Sequence, residues 1–242
     1  MSDTAPSPAR QTRQGAGRRE GKEGRLGEIA RAALAAFQQN GYRLTQIVHV
    51  SERLGVSVGS IYRYVDSKEA LFHIAALESL ERLPEAAPLP VKVRGLEETV
   101  AVISEMAAAD PLWPTLRELV GRLPSDDAKA EAREIAGELF DVMRMRARFI
   151  NLLDRCAQDI PELAEFFDAR IRRRLMADLV TWVVRRGLAA EGGRADAEAL
   201  ARGAMESVAW LAKNRPGDRT AGAISDAQAR AAAVRIFANA FD

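Results

Sequence analysis

Apolar residues recur along this chain at three- and four-residue intervals almost throughout, the pattern of helices that each bury one face. Leu26, Ile29, Ala30, Ala33, Leu34 and Phe37 form the first such face, and Asn40-Gly41 ends it. Ile47, Val50 and Leu54 make a second, with Thr45 placed to cap it. Gly55 stops that run, because glycine enters the left-handed conformation without a Cβ clash. Ser57 stands where it can cap a short helix, Val58 to Tyr64. Asp66 and Glu69 have the spacing of a capping box at the head of a fourth helix, over 67–83, which Pro84 stops. A proline-bearing connector occupies 85–94. Helices are then predicted over 96–109 and 112–123, and from Asp126 or Asp127 to near Gln158. Three more are predicted: Pro161 to Gly187, 196–213 and 226–241. No segment has the period of a strand, and no internal repeat is present. The expected fold class is all-α.

The short helix after Gly55 has an unusual cargo for a core element: Ser60, Tyr62, Arg63 and Tyr64. A brief helix behind a tight turn, rich in planar and hydrogen-bonding side chains, suits the major groove of DNA. Ser57, Val58, Gly59, Ser60, Arg63 and Tyr64 are the candidates for base edges. Gly59 costs about 1 kcal/mol relative to alanine in a helix interior. Either it lets the backbone approach DNA or a neighbouring helix closely, or it is merely tolerated.

These residues occur in a particular order: an amphipathic helix, Gly41-Tyr42, Thr45, Gly55-Val56-Ser57, Tyr62, then Ser67-Lys68-Glu69-x-Leu71. The set resembles the DNA-binding domain of the tetracycline-repressor (TetR) family over roughly residues 24–83, with the helix-turn-helix near 45–64 and a linking helix at 67–83. The family usually carries an acid where His49 stands, alanine at Ser51 and His-Phe at Tyr64-Val65; these departures bear on the target sequence rather than on the fold. The resemblance implies that Thr45, Tyr62 and Lys68 hold phosphates, a role their side chains suit. It also implies that 84–242 is a helical domain that binds a small molecule and dimerises. The partners expected are a palindromic double-stranded operator, a second copy of the chain and a small, mainly apolar effector. Repression rather than activation follows from family habit. The competing reading is a DNA-binding regulator whose second domain answers to a protein or to no ligand.

Composition supports this division. Aromatic residues make up only 6% of 242, and alanine, leucine, arginine and glutamate dominate, which favours helices. Residues 1–70 carry a net charge of +4 and the remainder −3, so the basic excess lies with the candidate DNA-binding unit, where phosphate neutralisation requires it. Arg10, Arg13, Arg18, Arg19 and Lys22 stand among Gly, Ser, Pro and Gln, so residues 1–23 are expected to be a disordered basic arm. Such an arm either enters a minor groove or only aids solubility. No apolar run has the length of a membrane span, and the N-terminus has no apolar segment of a secretory signal. The single Cys156 fits a reducing, cytoplasmic compartment. The only histidines, His49 and His73, form no metal or catalytic pattern, and no phosphate loop is present, so no enzyme activity, metal or cofactor is expected.

The second domain is less explicit. Met106, Trp113, Phe140, Met143 and Phe149 are candidate walls of an effector pocket, or ordinary core. Leu175, Leu179 and Trp182 lie on an apolar stripe of the helix from Pro161, while Ala199, Gly203 and Ser207 form a row of small residues beside Leu211 on the next. Small residues permit close helix approach, so these two stripes are candidates for a dimer surface; alternatively both face their own core. Ile236, Phe237 and Phe241 on the last helix either join that surface or displace it.

Overall fold

The computed structural model describes residues 8–108, 112–124, 127–189 and 192–241, and the chain divides into two compact units between Thr99 and Val100. The first unit contains α1 (Pro8–Leu44), α2 (Ile47–Leu54), α3 (Val58–Ile61) and α4 (Lys68–Ser79). All six residues of the predicted α1 face are buried, and Gly41, at φ 78°, breaks the helix where the sequence ended it. At its other end α1 is continuous from Pro8, through residues where composition predicted a disordered arm; residues 1–7 lie outside the described set. An aromatic cluster joins α1 to α4: Phe37 meets Phe72 edge-on at 5.2 Å, and Tyr42 stacks on Phe37 at 5.9 Å.

The helix ends follow hydrogen-bonding logic, with some exchanges of role. Gly55, at φ 64°, closes α2 by donating to the Glu52 carbonyl while Val56 donates to that of Ser51. Glu81, at φ 57°, closes α4 in the same way through Glu78 and Leu77, so α4 ends before the predicted stop at Pro84. Ser67, not Asp66, caps α4 by accepting from the Ala70 amide at 3.1 Å. Gln46, not Thr45, stands at the start of α2. The connector belongs to the first unit rather than to the second, where the sequence had placed it. Val91 donates to the Tyr64 carbonyl at 2.7 Å and accepts from the Asp66 amide at 3.2 Å, a parallel bridge with Val65.

Helix α5 (Leu96–Ala108) leads into the second unit, which continues with α6 (Pro114–Gly121), α7 (Ala128–Met145) and α8 (Ala147–Cys156). Asp127, one of the two predicted caps, accepts from the Ala130 amide at 2.8 Å. The single long helix expected to Gln158 is broken at Arg146, whose φ of −99° and ψ of 13° leave the α region. The helix from Pro161 also changes character. It runs as α9 (Pro161–Glu165), a π-helical stretch (Phe166–Arg172) and α10 (Arg173–Arg185), and left-handed Gly187 ends it as predicted. Helix α11 (Gly193–Ala209) passes into a second π stretch, Trp210–Asn214, and α12 (Asp226–Asn239) completes the unit. One hydrophobic core runs through α6, α7, α10, α11 and α12, including Leu116, Ile135, Leu139, Trp182, Val208 and Phe237. No described helix is long and apolar enough to cross a membrane.

Inside this core lies a buried ion pair. Glu131 accepts from Arg186 Nε at 2.8 Å and Nη2 at 3.1 Å, and from the Trp182 indole at 2.8 Å. Arg186 Nη2 also donates to the Leu119 carbonyl at 2.9 Å. The side chains are 1% and 9% exposed for Arg186 and Glu131. Glu131→Ala should cost about 3–5 kcal/mol, the range for stripping one partner from a buried pair. The double replacement Glu131→Leu with Arg186→Met should recover most of that loss. Urea unfolding followed by circular dichroism measures both, and a single-variant loss below about 1 kcal/mol would contradict this role.

Candidate nucleic-acid interface

Helix α3 is anchored from one side only. Ile61 and Val65, one turn apart, are buried. Ser57, Gly59, Tyr62 and Arg63 are exposed, and Val58, Ser60 and Tyr64 are half-buried. The sequence predicted a helix to Tyr64, but α geometry stops at Ile61 and residues 62–64 form a turn, with the Tyr64 and Val65 amides both donating to the Ile61 carbonyl. Nearly every candidate base-reading residue therefore lies on a short, outward ridge.

Hydrogen bonds order that ridge. Ser57 sits at the head of α3 but its hydroxyl does not cap the helix; it pairs instead with the Ser60 hydroxyl at 2.9 Å. Arg63 Nη2 reaches the same Ser60 oxygen at 3.4 Å. Ser57, Ser60 and Arg63, spaced by three residues, thus form a linked polar edge. A Cβ added at Gly59 would meet nothing within 4 Å. Packing against a neighbouring helix does not require glycine there, which leaves approach to an external partner, or simple tolerance, as its reason.

The flanks of the ridge divide into a half-buried cation and a fully buried hydroxyl. Lys68 Nζ donates to the Arg43 carbonyl at 3.1 Å and lies 4.4 Å from the centre of the Tyr42 ring. A carbonyl and an aromatic face together hold the ammonium at the start of α4. Tyr42, which the sequence singled out only as part of a Gly-Tyr pair, is the residue that positions it; its own hydroxyl donates to Glu69 at 3.0 Å. Thr45 differs from expectation. It is fully buried, and its hydroxyl donates to the Gly41 carbonyl at 2.6 Å, with that of Ala36 at 3.2 Å. The side chain therefore locks the α1–α2 corner and does not face outward as a phosphate contact. On α4, His73 lies 3.0 Å from the Thr99 hydroxyl, and burial holds its pKa below the ordinary value, with Glu98 opposing. Glu98 in turn is held below the usual carboxylate value, chiefly by the Arg94 backbone amide.

In the second unit the candidate pocket residues separate. Trp113 is buried, donates its indole N–H to Asp178 at 3.0 Å and forms a wall of a cleft of about 460 Å³. Met143 borders a different, narrower pocket of about 110 Å³ with Ile150, Phe167, Leu175 and Met205. Phe140 and Phe149 are buried, and Met106 is half-buried; none of the three borders either cavity.

The candidate dimer residues separate too. Leu175, Leu179, Trp182 and Leu211 are buried in the unit's own core, which removes them from any outer surface. Ala199 and Gly203 are exposed, and a Cβ at Gly203 would meet nothing within 4 Å. Ser207 is half-buried, its hydroxyl donating to the Ala204 carbonyl at 2.7 Å. The last helix turns Phe237 inward, where Phe241 packs edge-on against Trp182 at 5.1 Å, while Ile236 is exposed. Among the described residues no group of three or more His, Cys, Asp and Glu side chains is placed to hold a metal.

Three likenesses to known proteins accompany this geometry. Residues 29–75 match the family described as bacterial regulatory proteins, tetR family. Over 166 residues the chain is 28% identical to the HTH-type transcriptional repressor KstR of Rhodococcus jostii (strain RHA1), an alignment covering 67% of this chain and 74% of that protein. A crystal structure of a protein described as a TetR-family transcriptional regulator, from Mesorhizobium loti MAFF303099, superposes with a TM-score of 0.45 at 19% identity, covering 90% of this chain and 96% of that one.

The buried Thr45 hydroxyl has a direct thermodynamic consequence. Thr45→Val keeps the shape but leaves the Gly41 carbonyl without its donor, and should destabilise the chain by about 1–3 kcal/mol. Thermal and urea unfolding of the variant provide the measurement. Wild-type stability would place the hydroxyl outside the interior.

Proposed function

We propose that this chain, whose residues 29–75 match the tetR family of bacterial regulatory proteins, is a homodimeric transcriptional repressor that binds a palindromic operator and is released by a small, mainly apolar effector. The observation that carries the DNA-binding reading is the ridge of α3: two buried anchors on one side, and an edge of Ser57, Ser60 and Arg63 on the other. In this reading the ridge enters the major groove. Arg63 offers a guanidinium for the N7 and O6 of guanine, with Ser57, Val58, Gly59, Ser60 and Tyr64 beside it. Tyr62 and Lys68 contact phosphates at the edges of the groove. The basic arm before Gly24 adds charge for the DNA backbone. Repression is the activity named for the relative from Rhodococcus jostii. A protein with this task works in the cytoplasm, where the DNA is.

The dimer is proposed on the outer face of α11. Ala199 and Gly203 lie there, with exposed Trp210 about two further turns along the chain. Two-fold pairing of such a face presents two reading ridges to two half-sites. The effector is placed at the cleft beside Trp113, whose volume of about 460 Å³ falls in the usual range for small-molecule sites.

Two measurements test this reading. Lys68→Ala should weaken binding to operator and to random DNA by similar factors and lower the salt slope by about one. Arg63→Ala should cost about 1–3 kcal/mol on operator alone and relax preference at one base pair per half-site. Selection from a random DNA library, with titrations at several ionic strengths, separates the two. Base preferences identical in wild type and the Arg63 variant would refute the reading role.

Gly203→Glu tests the assembly. The site is open, so the subunit should fold with unchanged helical content. Two like charges near a two-fold axis should abolish tight association and, with it, high-affinity operator binding. Light scattering and circular dichroism on the same sample decide it; a folded variant that remains a tight dimer removes α11 from the interface.

A further inference from the structure

The cleft beside Trp113 has a charge pattern that an apolar effector leaves unexplained. Its floor and sides are apolar, with Ala107, Leu112, Trp113 and Ile171 among them, yet Arg117, Arg170 and Arg174 also line it. No described lining residue is acidic. The π-helical stretch 166–172 delivers Arg170 to this wall, and Arg174 follows four residues later at the start of α10. Like charges at that spacing on one helix repel. The narrower pocket differs: there Asp154 takes both Arg172 and Lys213, each at 2.7 Å. At the wide cleft no described residue pairs with any of the three arginines.

We propose that this cleft binds a small amphipathic anion: an aliphatic or ring body against Trp113, Leu112 and Ile171, with a carboxylate or phosphate head held by Arg117, Arg170 and Arg174. Guanidinium groups suit both heads, since their fork matches two oxygens at once. The Trp113 indole, fixed by Asp178, provides a rigid apolar wall. The ring is held before any ligand arrives, so little order is lost on binding. π-helical stretches recur at functional sites, and here one supplies both the arginine and the apolar Ile171 of the same wall. The inference rests on the reading that the second unit takes a small effector, and sharpens it to a class of ligand.

The test uses decanoate, decyl phosphate and decanol on the full chain without DNA, followed by calorimetry and tryptophan fluorescence. Both anions should bind saturably, decanol at least ten-fold more weakly, and the anion affinity should fall with added salt. Arg117→Gln and Arg174→Gln lie at exposed positions, so circular dichroism should show them folded. Each should weaken both anions about ten-fold and leave decanol unchanged. Trp113→Phe should remove most of the fluorescence response. The tighter of the two anions identifies the head group as carboxylate or phosphate ester. Decanol binding as tightly as the anions, neither anion saturating, or arginine variants without effect would each overturn the proposal. Operator affinity is then measured with the bound anion: an anion that binds yet leaves operator affinity unchanged keeps the site and refutes the effector reading instead.

Discussion

One carboxylate organises the second unit. Glu131, on α7, receives the indole of Trp182 and the fork of Arg186 from α10, and Arg186 reaches on to the Leu119 carbonyl at the end of α6. Three helices therefore meet at a single buried ion pair. Its energetic yield is modest, because removing two ions from water offsets most of their attraction. Its geometric demand is large: a carboxylate with three donors is satisfied in few arrangements, and one Arg186 nitrogen is already left without a partner. The rotation of α10 about its axis follows from this point. With it are set Asp178, which holds the Trp113 indole, and Arg174, which lines the cleft.

The first unit is ordered by different means. It has no buried ion pair among its described residues; an aromatic cluster of Phe37, Tyr42 and Phe72 fills the corner between α1 and α4. Helix α3 is four residues long, far below the length at which an isolated helix persists in water. Burial of Ile61 and Val65 holds it, together with the bridge from Val91 to the turn that follows. A short helix held from behind leaves its other side exposed. The same economy appears at Lys68, whose ammonium rests on the Tyr42 ring and on the Arg43 carbonyl.

Much of this was legible in the sequence wherever the signal is local. The face of α1, the left-handed turns at Gly55 and Gly187, the cap at Asp127 and the helix start at Pro161 each depend on a few neighbouring residues. The failures are of another kind. Thr45 and Ser57 are good capping residues by type, but each hydroxyl found a closer partner, the Gly41 carbonyl in one case and Ser60 in the other. The stripe of Leu175, Leu179 and Trp182 was correctly seen as one face, but periodicity cannot tell a subunit core from an interface between subunits. The connector was assigned to the wrong unit because the Val91 bridge joins residues far apart in sequence. The cleft arginines went unnoticed for the same reason: α5, α6 with the residues before it, and the π-helical stretch running into α10 each contribute a wall.

The π-helical stretch at Phe166–Arg172 has a meaning for how this chain can change over generations. An α-helix turns about 100° per residue, so a single residue gained or lost inside an ordinary helix rotates everything beyond it out of register with its neighbours. A π stretch already accommodates one residue more than the α repeat. Losing a residue there, or gaining one elsewhere in the helix, re-aims the cleft-lining segment as a block while Gly187 and the caps beyond it stay intact. Insertions and deletions thus have a route to reshaping this cleft, alongside the slower exchange of one side chain for another.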